Sequence, residues 1–236
     1  MKLMSKRRRK KIGGIKLPKI KEALAEKKVI WHQSNKVLYD LCNKHRGHNN
    51  IQGTIAKLLI IGRVYAAEIE RNHNNTPREK LYKNLALKLK RGGFDKQLAG
   101  VKRSIKNIDR INNSNLKKVL AVHKWLMNQI HNSGGPKEAI SFASKYLHFH
   151  LPNVYFMYDS RAPKGFRTIP VDKKLKQNLD EWKKCDAKYG KWFCKLLALR
   201  KHIRKKFYKR LSPRNIDRLL LNRYERDSKN TGKTHR

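Results

Sequence analysis

Acidic residues are scarce in this sequence: 17 Asp plus Glu stand against 59 Lys plus Arg in 236 residues, a formal net charge of +42. Self-repulsion on that scale works against a compact state, so such charge is carried for a polyanionic partner rather than for folding. Long apolar runs are missing as well. There is no stretch of about 18 apolar residues, and no apolar segment after the basic N-terminus to act as a signal peptide, which argues against a membrane partner. Nucleic acid is therefore the expected polyanion, and the cytoplasm the expected location. Cysteine is rare too. Cys42, Cys185 and Cys194 are odd in number and widely spaced. That argues against a disulfide framework, fits a reducing compartment, and leaves too few thiolates for a four-cysteine metal or iron–sulfur site. The thiols are expected to be buried and inert, and neither a metal nor a cofactor is expected.

What the chain does have is core material. Hydrophobic residues make up 39%, with four Trp, nine Tyr and seven Phe, too many for a merely basic, disordered tail. No long Pro/Gly/Ser linker separates two halves, so one compact, monomeric unit is expected, with two lobes. Residues 1–20, with the run Lys6-Arg7-Arg8-Arg9-Lys10-Lys11 followed by Gly13-Gly14, read as a disordered basic arm that either contacts phosphates or is simply solvated. The folded domain is expected over 21–225, and 226–236 is a polar tail.

Within that domain apolar residues recur at helical spacing. Val29, Ile30, Val37, Leu38 and Leu41 form one stripe, and Ile55, Leu58, Leu59, Ala66 and Ile69 another. Further helices are predicted from Pro77 to about Lys90, Phe94 to Ile111, Asn115 to His131, Pro136 to His150, Asp172 to Phe207 and Pro213 to Tyr224. Pro77, Pro136 and Pro213 each suit a first helical turn, where a missing N–H costs nothing. The fold class is all-α, a two-lobed helical bundle of seven to nine helices. Lys195 to Arg210 reads as an amphipathic basic helix that lies along a DNA backbone or forms a solvated face.

The sharpest local feature is Asn132-Ser133-Gly134-Gly135-Pro136-Lys137-Glu138-Ala139, a glycine turn opening into the apolar stretch Ile140 to Phe149. Such a hairpin brings backbone N–H groups to a helix start, where a phosphate is held close to the main chain. An ordinary helix connector gives the same string. After Pro152, the apolar run Val154-Tyr155-Phe156-Met157-Tyr158 ends at Asp159-Ser160-Arg161. An acid there is unusual in so basic a chain, although a helix N-cap or an ion pair with Arg161 would also account for it.

The order of glycine hairpin, lysine-bearing helix and hydrophobic run ending in aspartate resembles the helix-hairpin-helix DNA glycosylases. Ser144-Lys145-Tyr146-Leu147-His148-Phe149-His150 with Tyr158-Asp159-Ser160 is similar to small bacterial proteins of the 8-oxoguanine-glycosylase-like branch. So are the stretches from Leu59 to Arg71 and from Ser212 to Leu220. The resemblance implies a helix-hairpin-helix DNA-binding motif, double-stranded DNA as partner, and an enzyme that flips and excises a modified base. Asp159 would be catalytic, with Lys145 or Lys137 as the amine. Gly134, Gly135, Arg161, Arg63 and Arg214 would contact DNA. His148, His150, Tyr155 and Tyr158 would reach the base. The substrate implied is either glucosylated hydroxymethylcytosine in phage DNA, as in anti-phage members of this branch, or an oxidised purine such as 8-oxoguanine.

The chemistry suits those residue types. Breaking the bond between a base and deoxyribose passes through an oxocarbenium-like sugar, which a carboxylate stabilises while orienting water. The base must first be turned out of the stack. A lysine amine in place of water gives a Schiff base and strand cleavage. The spacing of either lysine to Asp159 departs from the family's, so base removal that stops at the abasic site stays open beside lyase action. His148 and His150 lie two apart and point to different helix faces, so one is expected at solvent or an interface. Tyr155, Phe156 and Tyr158, and likewise Trp31, Trp125, Trp182 and Trp192, serve as stacking rings or as core. A metal-nuclease pattern, Asp172 with Glu181-Trp182-Lys183, needs a β-hairpin to gather its carboxylates, whereas this stretch reads as helix. A non-catalytic RNA or DNA binder remains the main rival.

Either reading demands a strong salt dependence. With about 6–10 phosphates contacted, affinity for duplex DNA is expected to fall by about 10³–10⁵ between roughly 50 and 200 mM salt. A titration by fluorescence polarisation that shows no such slope would remove the electrostatic reading.

Overall fold

The computed structural model describes residues 20, 25, 29–70, 76–105, 108–159 and 179–230. The basic arm, Arg161 and Asp172 lie outside the described residues, as do the side chains of Trp31, Trp182 and Cys185. The fold is all-α, and no strand occurs among the described residues. The described residues contain eight α-helices in order: α1 (Val29–Lys44), α2 (Ile51–Val64), α3 (Arg78–Arg91), α4 (Phe94–Ser104), α5 (Asn113–His131), α6 (Ile140–His150), α7 (Leu179–Phe207) and α8 (Pro213–Asn230).

Local chemistry sets many of the boundaries. Asn50 opens α2 by accepting the Gly53 N–H at 3.0 Å. Asn112 and Asn115 form a reciprocal capping box at the start of α5, each side chain accepting the other's N–H. Helix α3 carries Glu79 in its first turn and Lys88, Lys90 and Arg91 in its last, which complements its dipole.

Four predicted helices end or begin elsewhere. Helix α2 stops at Val64, short of the expected Ala66 and Ile69, because Ala66 takes a left-handed backbone (φ 45) and the Ala67 N–H returns to the Gly62 carbonyl at 2.8 Å. Helix α4 stops at Ser104, and a 3-10 turn, Ile108–Arg110, follows after a break. Ile105, Ile108 and Ile111 are all buried there, and a spacing of three fits a 3-10 turn as well as a helix. Pro136 does not start α6, which begins at Ile140, because the residues before it are used to close α5. At the other end, α8 continues to Asn230, into the stretch read as tail.

Helix α7 is two helical runs joined at Asp186, whose φ of −161 and ψ of 88 are not helical. Asp186 Oδ1 accepts the Tyr189 N–H at 3.0 Å, capping the second run, and Oδ2 meets His123 Nδ1 at 2.5 Å. His123, fully buried on α5, stacks on Tyr189 with ring centroids 3.8 Å apart. This one carboxylate therefore restarts a helix and joins it to α5.

Helix α5 is the central element, packed by α7, α3, α4 and α6, while α2 packs on α1, α3 and α6. Its buried face includes Leu116, Val119, Leu120, Leu126 and Ile130, all at 0% exposure. The buried apolar residues form one connected cluster from Ile20 to Leu220. No helix among the described residues is long and apolar enough to cross a membrane.

The scarce acids tie helices together. Buried Glu70 pairs with Arg63 at 3.1 Å and Arg78 at 3.4 Å and accepts the Tyr82 hydroxyl. Asp109 pairs with buried Arg200 and with Arg204, so Arg200, read from sequence as part of a basic face, is an internal tie that also donates to the Leu211 carbonyl. Lys83, Lys90, Lys102, Lys117 and Lys124 remain exposed, leaving a basic surface.

Replacing Asp186 with Ala removes a cap and leaves His123 without its buried acid, and is expected to cost about 3–5 kcal/mol in urea unfolding. Asp186→Asn keeps an Oδ1 acceptor for the Tyr189 N–H and should lose less. Equal losses for the two would show that the cap contributes nothing.

Candidate functional site

The run from Tyr155 to Asp159 has no regular secondary structure, so most of its backbone groups need partners from outside. Four side chains supply them. His148 Nδ1 donates to the Tyr155 carbonyl at 2.8 Å, the Tyr189 hydroxyl to the Phe156 carbonyl at 2.6 Å, and Trp192 Nε1 to the Met157 carbonyl at 3.0 Å. The Tyr158 N–H donates to Ser144 Oγ at 2.9 Å. Ser144 and His148 stand four apart on α6, one above the other on the same face. That face clamps both ends of the run and sets half-buried Asp159 immediately beyond it.

Next to Ser144, Lys145 is buried at 3% exposure. Its Nζ donates to Ser141 Oγ at 2.9 Å and to the Tyr65 carbonyl at 3.2 Å, and lies 5.6 Å from the centre of the Tyr65 ring. The Tyr65 carbonyl sits at the C-terminal end of α2, where the helix dipole is negative and favours a cation. The Tyr65 hydroxyl donates to buried Asn35 on α1.

His148 has its tautomer set by its neighbours. Nδ1 faces a carbonyl and must carry the proton, so Nε2 accepts from the Tyr39 hydroxyl at 2.7 Å. Burial lowers the imidazole pKa from 6.5 to about 4; the bond to Tyr155 opposes this and the Arg214 charge adds to it. Burial raises the Tyr39 phenol to about 12, so it stays a donor. Arg214, in the first turn of α8, pairs with Asp217 at 2.8 Å and is 18% exposed. Its positive charge works to lower the pKa of Tyr39, Tyr65 and His148 alike.

The predicted residues thus divide. Lys145 and His148 lie on one face of α6, and Tyr158 and Asp159 belong to the segment that face clamps, while Arg214 stands on α8 paired with Asp217. Lys137 is exposed on the turn before α6, apart from that group. Tyr155 is a correction: it is fully buried, with its hydroxyl on the Val119 carbonyl at 3.3 Å, and offers no surface to a base. Tyr158 is half-buried and meets Trp192 edge-on, with centroids 5.8 Å apart.

Of the two histidines, one of which is expected at solvent or an interface, His148 is fully buried and His150 is half-buried. His150 turns to the opposite side of α6, bonded to the Tyr146 carbonyl at 2.8 Å and stacked on His48 at 5.1 Å. Burial, Lys57 and His48 hold it well below its ordinary pKa. Lys57 is fully buried, donating to the His45 and Gly47 carbonyls at 2.7 and 3.1 Å, and burial lowers it to about 8. Sequence reading missed it, although Thr54, Lys57, Leu58 and Ile61 share one face of α2.

The glycine hairpin is built differently from the expected phosphate cradle. The Gly134 N–H donates to the His131 carbonyl and the Gly135 N–H to the Ile130 carbonyl, both at 3.0 Å, closing the end of α5. Glycine is needed for space: Gly134 has φ 101, and an added Cβ would meet Thr76 Oγ1 at 2.5 Å. At Gly135 it would meet Ile130 Cγ2 at 2.7 Å. Both amides are engaged inside the turn, so neither points to a ligand. Arg63 is half-exposed, but its guanidinium lies between Glu68 at 3.3 Å and Glu70 at 3.1 Å. Cys42 and Cys194 are buried, as expected, and burial lifts their thiols to about 11 and about 12.

The depressed His148 pKa carries a sign. Between pH 6.5 and about 4 the unfolded imidazole binds a proton that the folded one refuses, so stability is full above pH 6.5 and is lost as pH falls, by about 3 kcal/mol. His148→Gln should flatten that fall, read as free energy of unfolding against pH. An unchanged slope would show that His148 titrates normally. No protein-family model matches this chain, and no curated protein or solved structure matches it.

Proposed function

We propose that this chain is a DNA glycosylase that flips a modified base out of double-stranded DNA and cleaves its glycosidic bond, leaving an abasic site. The finer architecture belongs to the same reading: a two-lobed helical bundle whose helix-hairpin-helix element is α5, the glycine turn and α6. One observation carries it. The Ser144 hydroxyl ties down the Tyr158 N–H at 2.9 Å, and the residue that follows each in the chain is a buried amine, Lys145, and a carboxylate, Asp159.

In this reading Asp159 stabilises the oxocarbenium-like sugar and orients the attacking water. Lys145 supplies the competing nucleophile: its deprotonated amine bonds to the sugar carbon as the bond to the base breaks, and the base leaves with a proton. Its hydrogen bonds to Ser141 and Tyr65 hold the nitrogen in one place. Lys137, exposed on the hairpin, is the alternative amine and otherwise a phosphate contact. Arg214 borders the site and suits the flanking phosphate. The substrate proposed is glucosylated hydroxymethylcytosine in phage DNA, which makes the enzyme a defence against phage; 8-oxoguanine is the alternative. A second reading, a non-catalytic nucleic-acid binder, draws support from the closed hairpin, whose glycine amides are engaged within the turn.

Duplexes carrying single modified bases, and modified phage DNA, are expected to yield alkali-labile abasic sites when incubated with the protein. Asp159→Asn should reduce the yield by about 100-fold or more. Borohydride trapping should be lost in Lys145→Gln and kept in Lys137→Ala. Absence of abasic sites on every substrate would leave the binder.

A further inference from the structure

Helix α7 ends in the run Arg204-Lys205-Lys206-Phe207-Tyr208-Lys209-Arg210. Both sides of this turn are anchored. Arg200, one helical turn before Arg204, bonds Asp109 and the Leu211 carbonyl, and Leu211 is itself 1% exposed. The Tyr208 N–H donates to the Arg204 carbonyl at 3.0 Å, so Tyr208 is the residue on which the helix closes.

That position is costly for a tyrosine on two counts. Its backbone is left-handed, with φ 54, the conformation in which helices ordinarily place glycine because a Cβ is crowded there. Its side chain is 90% exposed, so the ring gains nothing from burial. Neither the helix end nor the core calls for an aromatic here. Lys205, Lys206, Lys209 and Arg210 surround it and are exposed, while the nearby Asp109 is already held by Arg200 and Arg204. A bare aromatic face within unopposed positive charge suits one partner: a strand that offers both a free base and phosphates.

We propose that the Tyr208 turn is a contact for single-stranded nucleic acid, in which the ring stacks on an unpaired base and Lys205, Lys209 and Arg210 hold the flanking phosphates. It rests on the nucleic-acid part of the reading above and not on the glycosylase chemistry. Arg214 follows six residues later, a chain reach of at most about 21 Å, so a strand held here borders the candidate site.

The full chain is titrated with labelled oligothymidine and oligouridine of about 12 nucleotides, a length suited to such a contact, and with a blunt duplex, for wild type, Tyr208→Gly and Tyr208→Trp. Tyr208→Gly is expected to weaken single-strand binding about 5- to 150-fold, with the salt slope kept because no charge is removed. Duplex affinity should stay unchanged. The melting temperature should hold or rise, since glycine relieves the left-handed backbone. Tyr208→Trp should keep the affinity, with its fluorescence quenched on binding. Weakening on both oligonucleotides supports stacking regardless of sugar; weakening on one alone supports it for that polymer. Single-strand affinity unchanged in Tyr208→Gly, an equal loss on duplex, or a drop in melting temperature would overturn the contact while leaving the nucleic-acid reading intact. A wild type that binds no oligonucleotide defeats that reading and the contact with it.

Discussion

Electrostatic self-repulsion is the constraint that organises this molecule. A chain with a net charge of +42 folds only if its few carboxylates are placed where each offsets several cations or joins several elements. Glu70 gathers Arg63, Arg78 and Tyr82, and Asp109 gathers Arg200 and Arg204. Asp186 restarts α7 and pairs with His123 on α5. Because these acids are engaged inward, most lysines on the outer faces of α3, α4 and α5 meet no counter-charge in the fold. The same placement that makes the bundle cohere leaves positive charge on its surface.

Helix α6 concentrates the polar work inside the bundle. Four of its side chains, Ser141, Ser144, Lys145 and His148, direct hydrogen bonds to one side, and His150 directs its ring to the other. Such groups are expensive to bury unless each finds a partner. Here the partners are the Tyr65 carbonyl at the end of α2, the Tyr39 hydroxyl of α1, and the Tyr155 carbonyl and Tyr158 N–H of the irregular Tyr155–Asp159 run. Burial keeps His148 neutral, so it acts as a fixed donor and acceptor and holds the backbone that delivers Asp159. Ser144, which holds the Tyr158 N–H, and the buried Lys145 are thus adjacent residues of one helix.

Much of the bundle was legible in the sequence because amphipathic spacing is a local property. The bounds of α5, α6 and α7 near His131, His150 and Phe207 followed from it. The misread boundaries share one physical cause. Ile105, Ile108 and Ile111 satisfy the same apolar face whether the backbone is α-helical or 3-10, and Ala66 leaves α2 by a left-handed turn that its side chain does not announce. Pro136 is compatible with a first helical turn, but the chain needed its neighbours to satisfy the last carbonyls of α5. The histidines show the same limit: a period of 3.6 says that His148 and His150 face apart, but not that His148 is fully buried and His150 half-buried.

The sequence by itself determined the sign and scale of the chain's own charge, the helical class, and a short set of candidate residues. These depend on composition and on neighbours along the chain. Only the tertiary structure decided which lysine is buried beside the Asp159 segment and which stands on an exposed turn. It also decided that Tyr155 is core, that the Gly134 and Gly135 amides close a helix, and that Arg63 is held by two glutamates. Each of those outcomes rests on a contact made by folding, between residues far apart in the chain or between backbone groups whose partners are chosen only when the turn closes.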